Sequence, residues 1–191
     1  MRINTNDVKI TFACEALNTE ILPHKKWQNL NVVMYVPEKF YVTNDDLEEN
    51  NISEEELFAI AEKNTNKDWV VVQINDFFLP MMYPIDDVKN TCEYNLLALT
   101  NPDSYYGAIA IYFKENLEKI AEKFDSDLYI LPSSIHETMI LPKNDMTSKS
   151  SFKDYNTMVE EVNDSMVGPE IRLSNNCYVY DRKLKQIIYQ K

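Results

Sequence analysis

Glycine is nearly absent from this chain: Gly107 and Gly168 are the only two among 191 residues. Phosphate-cradling loops of the G-x-G-x-x-G and Walker types each need several close glycines, because backbone N–H groups must reach the phosphates without an intervening Cβ. Nucleotide binding through such loops is therefore excluded. Cysteine is scarce too. Cys14, Cys92 and Cys177 are far apart, odd in number and lack C-x-x-C spacing, which argues against a zinc site or a disulfide framework and fits reduced thiols in a cytosolic protein. No run approaches the roughly 18 apolar residues of a membrane span. The opening M-R-I-N-T-N-D-V-K lacks the apolar core of a signal peptide. The expectation is a cytoplasmic protein with no membrane association. Basic residues are outnumbered, 19 against 31 acidic, for a net charge of −12. That field repels phosphate backbones and speaks against direct nucleic-acid binding; it suits solubility or attraction to a basic protein.

What is present is a chain of short strands and amphipathic helices. Val8, Ile10 and Phe12 alternate with Lys9 and Thr11 as in a half-buried strand, and Leu30–Val36 is a β-branched and aromatic run ending at Pro37. Between them L-P-H-K-K-W-Q-N reads as a solvated loop, and His24 has no second metal ligand at useful spacing. Residues 45–51 read as an acidic turn. Ser53 and Glu56 then have capping-box spacing ahead of Leu57, Ile60 and Ala61, which predicts a helix over 54–64. Trp69–Leu79 is apolar enough for a strand or a buried helix; periodicity does not separate them, and the reading leans to a helix-like or irregular path. Tyr94–Thr100 and Gly107–Phe113 flank N-P-D-S-Y-Y and are expected to form an antiparallel pair. Helices follow over 114–124, with the stripe Leu117, Ile120, Ala121 and Phe124, and after 151, with Phe152, Tyr155, Val159 and Val162. Asn176–Tyr180 and Gln186–Tyr189 form a closing hairpin.

The chain is organised around residues 127–142, D-L-Y-I-L-P-S-S-I-H-E-T-M-I-L-P, two apolar runs about a compact polar segment. Ser134 precedes Glu137 by three, so a single capped helical turn is expected between two strands. Strands and helices alternate without βαβ regularity. The fold class is therefore α+β, a largely antiparallel sheet with three or more packed helices.

The motifs L-T-N (99–101), G-A (107–108), Y-I-L-P-S-S-I-H-E (129–137), M-V-E-E-V-N (158–163), L-S (173–174) and Y-V-Y-D-R (178–182) resemble those of an uncharacterised bacterial domain family of unknown function, found in anaerobic Gram-positive bacteria and their mobile elements. The resemblance spans about Leu30 to the C-terminus and implies membership without an activity. It also implies members longer at the N-terminus, so residues 1–29 are read as an extension packed on a main domain of 30–191.

Ser133 or Ser134 with His136 and Glu137 has the residue types of a nucleophile, a base and an orienting acid. Neighbours one to three apart rarely aim at one reacting atom, and no glycine permits a strained nucleophile elbow. A metal site of His136, Glu137 and Asp181 lacks ligand spacing, so no metal and no cofactor is expected. A structural network has the better mechanism: Ser134, His136, Glu137, Asp181 and Arg182 would lock the loop, with Arg182 forked onto Glu137 and His136 donating to a carbonyl. The favoured class is a non-enzymatic accessory or counter-defence protein whose acidic face, Asp45, Asp46, Glu48 and Glu49, meets a protein partner with a basic surface. The alternative is a small hydrolase or metal-dependent enzyme at Ser133/Ser134, His136 and Glu137.

Overall fold

The computed structural model describes residues 3–74, 81–88, 96–144 and 147–189. They form an α+β fold with two antiparallel sheets, in agreement with the expected class. In the first sheet, β3 (Leu30–Val36) lies between β1 (Lys9–Phe12) and β2 (His24–Trp27), and β4 (Phe40–Tyr41) folds back onto the end of β3. The second runs β11-β10-β8-β9-β7-β5-β6. Its strands are β5 (Val70–Gln73), β6 (Met81–Pro84), β7 (Leu97–Thr100), β8 (Leu128–Leu131), β9 (Thr138–Pro142), β10 (Tyr178–Asp181) and β11 (Gln186–Tyr189).

Period-2 alternation gives the second sheet two buried faces. Leu128, Ile130, Tyr178 and Tyr180 point into the main core, together with Ile10, Phe12 and Met34 of the first sheet. Tyr129, Leu131 and Val179 point the other way, under Tyr155 and Val159 of the last helix. The N-terminal stretch therefore contributes to the common core through Val8, Ile10 and Phe12, and Trp27 packs against it, 5.2 Å from Phe12 and 5.6 Å from Tyr178, ring centre to ring centre.

Four α-helices are described: α1 (Asn44–Asn50), α2 (Glu54–Thr65), α3 (Lys114–Phe124) and α4 (Phe152–Met166). α1 occupies the stretch expected to be a turn. Thr43 accepts from the Asp46 N–H, and the Asp46 carboxylate accepts from the Thr43 N–H, a complete capping box that suffices to start a short helix. α2 begins at Ser53 as expected, with Ser53 Oγ accepting from the Glu56 N–H. It packs Leu57, Phe58 and Ala61 on the core and ends at Thr65, whose hydroxyl accepts from Ile10 N–H on β1.

Other expectations need correction. His24–Trp27 is a strand, not a solvated loop; its polar composition hides a segment held by pairing to β3. Thr11 is buried, because Ala13, Leu22 and Val33 form a small core on the outer face of the first sheet. Val70–Gln73 is a central strand between β6 and β7, so the lean towards a helix-like path is overturned by pairing on both sides. Residues 75–79 of that run, Tyr94, and Cys92 lie outside the described residues. Gly107–Tyr112 is a 3-10 helix, since β5 and β9 already occupy both edges of β7. In α4 the buried stripe turns from Val159 to Asn163, and Val162 is exposed.

Candidate functional site

The chain turns through a polar junction at the end of β8. After Leu131, Ser134 forms an isolated bridge with Arg172, and its hydroxyl accepts from the His136 N–H at 3.0 Å. This local side-chain-to-backbone bond takes the place of the expected helical turn. No capping contact from Glu137 is formed; Glu137 is exposed. His136 is half-buried. Its Nδ1 accepts from the Tyr106 N–H at 3.3 Å, so the neutral ring carries its proton on Nε2. The ring was expected to donate to a carbonyl, and at Nδ1 it does the reverse. Burial holds the imidazole below its ordinary pKa, with the Glu137 carboxylate opposing the shift.

The partners of His136 come from the loop after β7. Thr100 Oγ donates to the His136 carbonyl at 2.8 Å. Asn101 clasps that loop, its Oδ1 accepting from Tyr105 N–H and its Nδ2 donating to Tyr105 O. Tyr106 is left-handed at φ 55°, a conformation that disfavours a bulky residue; the bond to His136 helps hold it there. Gly107 follows because nothing larger fits: a Cβ would overlap Thr100 Oγ and sit 2.7 Å from the His136 carbonyl oxygen.

Arg172 takes the locking role expected of Arg182. Its Nη2 donates to the Asn163 and Val167 carbonyls at 2.9 and 3.0 Å, capping the C-terminal end of α4, and its Nη1 lies 3.4 Å from Asp164 Oδ1 and 3.6 Å from Glu15 Oε2. Arg182 is elsewhere. It is ion-paired with Asp125, its N–H donates to Asp127, and Asp181 caps the β10–β11 turn through the Lys183 and Leu184 N–H groups. Asp127 precedes β8 and Ser134 follows it, so the predicted network is split between the two ends of one strand. Its Ser134 and His136 are together; Glu137 joins neither by hydrogen bond, and Asp181 and Arg182 are absent from it. Ser133 contributes only backbone, its carbonyl accepting from Leu173 N–H.

Beside this junction lies a cleft of 920 Å³ between the outer face of the first sheet, the end of α2 and the 101–106 loop. Tyr35, Tyr105 and Tyr106 line it, with Tyr106 4.7 Å from Tyr35 and 4.3 Å from Tyr105, ring centre to ring centre. Tyr106 also exchanges a hydroxyl hydrogen bond with Tyr41 at 3.0 Å. The Tyr105 ring stands 5.3 Å from that of His136, but His136 does not line the cleft. Of the predicted acidic face, Asp45, Glu48 and Glu49 are exposed on α1, whereas Asp46 is engaged in the capping box. Among the described residues no group of three His, Cys, Asp or Glu is placed to hold a metal ion, and no helix is long and apolar enough to cross a membrane. Cys177 is buried, which pushes its thiol up to about 12.

Sequence reasoning missed Arg172, Tyr35 and Tyr106 as organising residues. One signal was available for Gly107: in a chain with two glycines, each retained glycine points to a close approach. The motifs L-T-N, G-A, S-S-I-H, the Asn of E-V-N, and L-S all converge on this junction, through Thr100, Gly107, His136, Asn163 and Leu173. No curated protein and no solved structure matches the chain. A family model does match, over residues 14–182, and so begins inside the stretch read as an N-terminal extension. The chain belongs to that family, a family of unknown function (DUF5688).

Proposed function

We propose that this protein is a non-enzymatic binding module that acts on a protein partner with a basic surface. The observation that carries the reading is the commitment of the Ser–His–Glu set. Ser134 Oγ and His136 Nδ1 each accept from a backbone N–H and have no side-chain bond to one another, and Glu137 has no hydrogen bond to either. A nucleophile needs its base within hydrogen-bond reach and the base in turn oriented by a third group, so the hydrolase alternative is the weaker one. The acidic balance supplies the second half of the argument. Residues 45–56 carry seven carboxylates and no lysine or arginine, and Asp45, Glu48, Glu55 and Glu56 are exposed. A negative surface of this kind steers a basic partner and makes the association sensitive to salt. An accessory or counter-defence role in a bacterial mobile element belongs to the same proposal and rests on the motif resemblance alone.

The test reverses charge at Asp45, Glu48 and Glu49 and leaves Asp46, because Asp46 caps α1. Capture from the native host, with mass spectrometry at graded salt, is expected to recover a basic protein with the unaltered chain and to lose it with the variant. Capture that survives the reversal with its salt dependence intact refutes the acidic face.

A further inference from the structure

The cleft carries a more specific reading, which rests on the proposed basic partner and names the group recognised. At its floor Tyr35 is only 8% exposed, yet its hydroxyl has no hydrogen-bond partner among the described residues. The ring is buried but the hydroxyl is not, so its tip is open at the cleft, and a ligand can take that bond. Above it Tyr105 is 52% exposed and offers an open ring. Glu38 and Asp103, both exposed, line the same cleft and are in no ion pair with a described residue. Glu38 lies in the turn between β3 and β4, three residues after Tyr35, and Asp103 lies in the loop after β7 that also carries Tyr105. Lys9, Lys67 and Asp68 line the cleft as well, so its charged lining is three carboxylates against two lysines, an excess of negative charge. The cleft is also held in a demanding shape: Glu38, Asp68 and Tyr106, from its three contributing segments, all have positive φ. Such conformations persist only where the surrounding structure over-determines them, and they gather at ligand clamps.

We propose that this cleft receives an arginine side chain of the partner, its guanidinium stacked on Tyr105 and donating to Asp103, Glu38 and the Tyr35 hydroxyl. A planar cation with five N–H donors matches two carboxylates, one orphan acceptor and an aromatic face at once. Lysine has three donors on a strongly hydrated point charge and does not stack. An anion would meet the carboxylates, and a neutral sugar would leave their charge unanswered.

The probes are blocked Ala-Arg-Ala peptides and their lysine and citrulline counterparts, titrated calorimetrically into the full chain. The arginine peptide is expected to bind, the lysine peptide more weakly, and the citrulline peptide, isosteric but uncharged, not detectably. Asp103→Asn is expected to weaken the arginine peptide about tenfold, the loss of one charge-assisted hydrogen bond. Tyr35→Phe is expected to weaken it several-fold without lowering the melting temperature, since it deletes an unpaired hydroxyl; a structural tyrosine would show the opposite. Equal binding of arginine and citrulline peptides, no binding of either, or affinity unchanged by Asp103→Asn and Glu38→Gln overturns the proposal. A neutral oligosaccharide that binds where the peptides fail also overturns it. The α1 charge-reversal variant separates the two claims. It should keep the peptide while losing the partner, whereas loss of peptide binding with α1-dependent capture intact removes the cleft alone.

Discussion

Replacing Gly107 by alanine should destabilise the protein by about 2–3 kcal/mol, and the reason is geometric. Gly107 has no positive φ, so its backbone conformation is open to any residue and alanine itself adds no strain. The added Cβ overlaps Thr100 Oγ and lies 2.7 Å from the His136 carbonyl oxygen and 2.8 Å from the Asn101 nitrogen. Thr100 can rotate away only by giving up its 2.8 Å bond to His136, a loss of about 1 kcal/mol. The other two neighbours are backbone and must move by several tenths of an ångström, an overpacking cost of about 1–3 kcal/mol. The smaller entropy of an unfolded chain with alanine offsets roughly 0.5 kcal/mol. For a domain of this size the net loss corresponds to a fall in melting temperature of about 5–10 °C. Urea unfolding should show a lower midpoint at unchanged slope. Gly168→Ala is the control: the three atoms nearest its added Cβ all belong to the Glu170 side chain, whose flexible end can swing into water, so the change should stay within about 0.5 kcal/mol. A Gly107→Ala loss below 1 kcal/mol, or equal losses at both glycines, would refute the claim that this junction is close-packed.

Removing the His136 ring by His136→Ala should cost about 1–3 kcal/mol, because it leaves the Tyr106 N–H without its acceptor; an unchanged melt sinks the structural role of the ring. The same residue sets a pH dependence. Its folded pKa lies below the ordinary 6.5, so the unfolded chain binds the proton more readily, and this contribution to stability is present above pH 6.5 and is lost as pH falls below it. The melting-temperature difference between the unaltered chain and His136→Phe should therefore narrow on acidification, and a difference that widens contradicts the assignment. Arg172→Ala should cost roughly 2–4 kcal/mol, since the side chain, 18% exposed, satisfies two carbonyls at the end of α4. Arg182→Ala, whose partner Asp125 is 84% exposed, should cost under about 1 kcal/mol, and the reverse ranking would restore the network expected from sequence.

Sequence alone determined the features that depend on local pattern. The stripe Leu117, Ile120 and Ala121 placed α3 at Lys114–Phe124, Ser53 marked the start of α2, and D-R-K-L-K between two apolar runs gave the closing hairpin. Each is stabilised by neighbours a few residues away, so composition and period suffice. Tertiary structure decided whatever depends on partners distant in the chain. Lys25 and Lys26 became strand because β3 offered a free edge, and the apolar run at Gly107 became a 3-10 helix because both edges of β7 were taken. Arg172 rather than Arg182 locks the loop for the same reason. Ser134 and Asp127 sit at opposite ends of β8, about 10 Å or more apart for a strand of this length, and only the chain path after α4 delivers an arginine to the Ser134 end. The cleft was the least legible feature, since Tyr35, Glu38 and Asp103 share no local period and meet only where the outer face of the first sheet faces the 101–106 loop.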